Sequence, residues 1–69
     1  MYTVRIIDQV GEPTDAEYET VDQAFGAVYL DELPLTETSV PTTMNRFAIY
    51  KDGICFHHSG AMAEIGDPL

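Results

Sequence analysis

The stretch RFAIYKDGICFHH (Arg46–His58) limits the fold of this chain more than any other. Apolar residues alternate on both sides of Asp52-Gly53, and an Asp-Gly pair is the strongest short-range hairpin signal, because both central positions of a type I′ turn need positive φ. A two-residue turn sets a register: Lys51 opposite Ile54, Tyr50 opposite Cys55, Ile49 opposite Phe56, Ala48 opposite His57 and Phe47 opposite His58. Phe47, Ile49, Ile54 and Phe56 then share one apolar face, with His58 at its edge. Cys55 and His57 fall on the other face with Tyr50 and Ala48.

The rest of the chain supplies what such a hairpin packs against. YTVRIID (Tyr2–Asp8) alternates and is rich in β-branched residues, so it reads as a strand. Gly11 and Pro13 mark a turn, after which AEYET is extended and returns beside that strand. TVDQAF carries a helix start: Thr20 caps, Gln23 completes a capping box and Asp22 sits in the first turn. Val21, Ala24, Phe25 and Val28 form one helical face, and the helix is expected over Val21–Glu32, stopped by Pro34. PLTETSVPTTMN is a connecting loop, and Ala61–Ile65 is expected to add a helical turn before Gly66 and Pro68. The fold class is α+β, one helix on a small antiparallel sheet, ordered ββαββ or βαββ and ending in the Asp52-Gly53 hairpin. Val4, Ile6, Val21, Phe25, Val28, Phe47, Ile49, Ile54 and Phe56 are the expected core.

A chain of 69 residues has room for one domain, spanning 1–69, and little room for a deep active site. One cysteine, Cys55, forms no intramolecular disulfide, and the first segment, with Arg5 and Asp8, does not resemble a signal peptide, so a reducing cytoplasm is the expected compartment. No apolar run approaches the roughly 20 residues that span a bilayer. Cys55 and His57, two apart on a strand, offer two ligands to a metal, but a structural zinc needs four and no paired-ligand spacing is present. As a nucleophile pair they point outward in parallel instead of converging. The reading therefore assigns no catalytic residue, no metal and no cofactor.

Charge narrows the function. Twelve acids against Arg5, Arg46 and Lys51 give a net charge of -9, which repels nucleic acid and anionic lipid and steers the chain toward basic surfaces. Acids cluster from Asp8 to Asp22 with no Lys or Arg between them. Asp15, Glu17 and Glu19 alternate, so an extended backbone puts a carboxylate on one face about every 6.6 Å. That approaches two axial phosphate steps of a duplex strand, about 6.8 Å. Asp31, Glu32 and Glu37 offer a second acidic patch. A solvated face kept acidic for solubility is the alternative meaning of the same residues, and the EF-hand calcium pattern is absent.

In size, acidity, α+β layout and lack of a catalytic signature, the chain resembles the small phage-encoded inhibitors of bacterial defence, anti-CRISPR proteins above all. The resemblance implies a monomeric, non-enzymatic DNA mimic whose partner is a basic nucleic-acid-binding protein such as a CRISPR effector subunit. On that reading Asp15, Glu17, Glu19 and Asp22, with Asp31 and Glu32, pair with the partner's Arg and Lys, while Tyr18 or Tyr29 anchors the contact. A different class, a small structural or assembly module of phage or bacterial origin, would use the hairpin edge and the Pro34–Asn45 loop.

Overall fold

The structure, a computed structural model, describes residues 1–29, 41–59 and 63–69. Among these residues the fold is α+β: a four-stranded antiparallel sheet with one short helix. Strands β1 (Tyr2–Ile7) and β2 (Pro13–Tyr18) precede helix α1 (Val21–Gly26), and β3 (Arg46–Lys51) and β4 (Ile54–His58) follow it. The sheet order is β2-β1-β3-β4. β1 turns into β2 through Asp8, whose carboxylate accepts from the backbone N–H groups of Val10 (3.0 Å) and Glu12 (2.9 Å). Gly11 there has φ of 90°, which a side chain would strain.

Helix α1 begins where the capping box places it. The Thr20 hydroxyl accepts from the Gln23 N–H at 3.2 Å, and the Gln23 side chain reaches back to the N–H of Thr20 at 3.3 Å. Its end lies well short of Glu32: the last helical residue is Gly26, and the Val28 carbonyl accepts from the Thr42 N–H at 2.8 Å while Tyr29 bridges Pro41. Gly26 is a poor helix former, and Val28 and Tyr29 suit extended backbone, so a tertiary pairing takes the chain out of the helix. The expected 30–32 end of the helix lies outside the described residues.

The core forms on the helix side of the sheet. Val4, Ala24, Phe25, Val28, Phe47 and Ile49 are buried, and Ile6, Val21 and Phe56 pack against them half-buried. Ile54, expected in this core, is 47 % exposed. The reason is reach: six helical residues rise about 9 Å, half the length of a six-residue strand, and α1 lies over β1 and β2. Phe25 of the helix meets β4 at Phe56 and His57, two and three residues beyond Ile54.

Asp52 (φ 50°) and Gly53 (φ 85°) turn β3 into β4, with Lys51 opposite Ile54 and Tyr50 opposite Cys55. The expected register fails one step further on. A β-bulge leaves Ile49 opposite His57 and Ala48 opposite His58, with Phe56 the extra residue. Phe56 and His57 consequently both lie on the helix side, Phe56 edge-on to Tyr2 and Phe25, and His57 edge-on to Phe25 and stacked on Phe47. A regular hairpin would have sent His57 to the opposite face.

That opposite face holds a second small core of Ala48, Tyr50 and Cys55, covered by Ala63. The tail also runs along the outer edge of β4. The N–H of Cys55 donates to Asp67 (2.9 Å), and those of Gly66 and Leu69 donate to Cys55 (2.8 Å) and Gly53 (2.7 Å). Within the expected helical turn over Ala61–Ile65, the described part, Ala63–Ile65, is not helical; 61 and 62 lie outside the described residues.

Candidate partner-binding surface

Of the acidic residues singled out in the sequence, Asp15, Glu17, Glu19 and Asp22 lie on β2 and the turn into α1, and the fold treats them unequally. Asp15 and Glu17 stand on β2 opposite Arg5 and Thr3, on the sheet face away from the helix. Glu19 lies past the end of β2, in the bend that leads to the Thr20 cap, so the expected single row of three strand carboxylates reduces to two. Gln23 sets that bend: its side-chain oxygen accepts from the Glu19 N–H at 3.1 Å. Asp22 follows, exposed in the first helical turn, where the helix dipole favours a negative charge. Asp31 and Glu32 lie outside the described residues.

Asp15 is already paired. Arg5 donates to its two carboxylate oxygens from Nε and Nη2, both at 2.8 Å, and the guanidinium carbon lies 5.8 Å from the centroid of the Tyr50 ring. This two-point hydrogen bonding holds the Asp15 carboxyl below the usual carboxylate range and raises Arg5. An incoming cation must compete with Arg5 for Asp15. Among the described residues Glu17, Glu19 and Asp22 meet no cation within ion-pair distance. Glu17 and Glu19, with Tyr18, Gln23, Gly26 and Ala27, line a shallow open groove between the end of β2 and α1.

The two tyrosines expected as exposed anchors are half-buried and pack on the core. Tyr29 is committed inward: its hydroxyl lies 2.6 Å from His57 Nε2, in a nest of Phe25, Phe47 and His57 rings. Burial pushes the Tyr29 phenol up and the His57 imidazole down, His58 adding to the latter. With both groups neutral, the phenol, the better acid, donates to Nε2.

No protein-family model, curated protein or solved structure matches the chain.

The bulge also settles the Cys55–His57 question that the sequence raised. Cys55 is buried with Ala48 and Tyr50 on one face, and its thiol donates to the His57 carbonyl at 3.6 Å, while the His57 ring lies on the other face with Tyr29. The imidazole is therefore not placed to take the thiol proton. Among the described residues no three His, Cys, Asp or Glu side chains converge as a metal site, and no helix is long and apolar enough to cross a membrane. Sequence reasoning missed the Arg5–Asp15 and Tyr29–His57 pairs. The first was within reach, since pairing β1 with β2 about the Asp8–Glu12 turn sets the two opposite each other; the second depends on the bulge.

His57 gives a prediction in pH. Its folded-state pKa lies below the ordinary value of about 6.5, so the unfolded chain binds the proton better. The contribution is complete above pH 6.5 and is lost as pH falls below it. The urea midpoint should drop between pH 7 and pH 5, and His57→Gln should flatten that drop; an equally steep drop in the variant would assign it to other groups.

Proposed function

We propose that this protein is a non-enzymatic, protein-binding inhibitor whose acidic β2 side occupies a basic, nucleic-acid-binding surface of its partner. The observation that carries the reading is the set of exposed carboxylates of Glu17, Glu19 and Asp22, with no cation beside them among the described residues, on a chain of net charge -9. Such a surface accelerates encounter with basic partners and repels nucleic acid itself. The resemblance to anti-CRISPR proteins gives the reading its sharpest form: a mimic that blocks the DNA-binding site of a CRISPR effector in a bacterial cytoplasm. The frame is a ββαββ chain ending in the Asp52-Gly53 hairpin. Asp15, held by Arg5, plays a smaller part than Glu17 and Glu19.

The assembly-module reading is favoured by one observation, a sheet edge with which none of the described residues pairs. That edge is β2 and not the hairpin, because the tail pairs with β4. The experiment that tests the main reading is capture of partners by the tagged protein from nuclease-treated bacterial lysate at low and high salt. A nucleic-acid-binding complex held at low salt and released at high salt supports it, since screening shortens the reach of exposed charges. A partner indifferent to salt favours assembly.

A further inference from the structure

The two outer edges of the sheet differ. The edge of β4 is occupied by the protein's own tail through the three backbone hydrogen bonds of Cys55, Gly66 and Leu69. Among the described residues nothing pairs with the outer edge of β2, and Pro13–Glu17 are all exposed.

Which main-chain groups β2 presents follows from the alternation of an antiparallel ladder. The Asp8 N–H donates to the Glu12 carbonyl at 3.1 Å, so the pairs at even positions, Ile6 with Thr14, Val4 with Ala16 and Tyr2 with Tyr18, bond β2 to β1. The Asp52 N–H donates to the Met1 carbonyl at 3.1 Å, so the odd positions of β1 bond to β3, as this pattern requires. The odd residues of β2 therefore turn their N–H and C=O groups outward. Pro13 has no N–H to offer, and that of Glu19 is taken by Gln23. Asp15 and Glu17 remain, each with an outward donor and acceptor.

We propose that the outer edge of β2 takes an extended, lysine- or arginine-bearing segment of a partner protein as a fifth strand, bonded to the main chain of Asp15 and Glu17. The proposal rests on the protein-binding reading above and specifies how that surface is used. Charge selects the occupant. A second copy pairing β2 with β2 would bring the Asp15 and Glu17 carboxylates of both chains together, which opposes pairing; a basic strand sets cations beside Glu17 and Glu19. The short open stretch, bounded by Pro13 and by the Gln23 contact, limits self-pairing further.

The test uses two synthetic peptides, acetyl-KVKTKVK-amide and acetyl-EVETEVE-amide, with the full chain followed by NMR. The basic peptide should slow hydrogen exchange at the Asp15 and Glu17 amides selectively, and the acidic peptide should not bind. Glu17→Pro removes one outward N–H at a position where an edge strand tolerates proline, and should weaken binding about tenfold more than Glu17→Gln, which removes only the charge. Exchange protection at both amides supports the proposal. Binding of the basic peptide without that protection overturns the fifth strand and leaves the acidic-surface reading standing. No binding of either peptide overturns both, and concentration-dependent dimers protected at the same amides replace the basic segment by a second copy.

Discussion

Phe47→Ala should leave most of the protein unfolded at 25 °C, while Ile54→Ala should fold with almost unchanged stability. Phe47 is fully buried, with its ring against Tyr29 (centroids 5.7 Å apart) and His57 (6.2 Å). Emptying such a site costs about 3–5 kcal/mol, the lost transfer energy plus the cavity left behind. A single core in a chain this short rarely supplies more than about 3–5 kcal/mol of stability, so one truncation takes most or all of it. Ile54 belongs to the same hairpin and carries a side chain of similar hydrophobic character, yet it lies half open beyond the reach of the helix. Its truncation should cost under about 1 kcal/mol. Urea denaturation of the two variants side by side reads the difference. Equal losses would mean that the buried core on the helix side of the sheet extends to the turn, contrary to this account.

Glu17→Lys with Glu19→Lys should slow association with the captured partner at least about tenfold at low salt, with a smaller change in dissociation. Both side chains are exposed, so the fold survives, and the net charge changes from -9 to -5. Position matters beyond total charge. Glu64→Lys, on the tail beside β4 and also exposed, should slow association much less than Glu17→Lys alone. Surface plasmon resonance across a salt series checks each arm. An identical slowing by Glu64→Lys would show that the partner senses only net charge and that the β2 side holds no special place.

How far the sequence reaches differs by element. Thr20 and Gln23 announce the start of the helix because a capping box is a local device, complete within a few residues, and both halves of it form. The end was not legible. Val28 and Tyr29 continue the apolar period, but the Thr42 N–H and Pro41 draw them into extended pairing, and that pull comes from residues far along the chain. The Asp52-Gly53 pair similarly places Lys51 opposite Ile54 and Tyr50 opposite Cys55. Turn chemistry fixes parity only until an extra residue intervenes. Putting Phe56 and His57 on one side buries a second aromatic edge and gives Tyr29 a hydrogen-bond partner, gains that no local pattern in ICFHH reveals.

The candidate surface divides in the same way. The clustering of acids was visible, and Asp15, Glu17, Glu19 and Asp22 do gather around β2 and the start of α1. Their equivalence was not. Arg5 sits ten residues from Asp15 in sequence but directly opposite it in the ladder, which gives one of the exposed carboxylates a cation of its own. The bend at Glu19 breaks the strand row, since the helix cap needs Thr20 extended and Gln23 folded back on the chain. What remains is the pair Glu17 and Glu19, beside a strand edge with which none of the described residues pairs.

The measurement that bears most directly on the central claim is competition between duplex DNA and this protein for the partner captured at low salt. If the acidic β2 side stands in for nucleic acid, increasing concentrations of duplex should release the partner completely, and the protein should in turn displace DNA from it. A partner that stays bound in excess duplex, or that holds DNA and this protein together, would contradict mimicry and leave the acidic surface without a role at the nucleic-acid site.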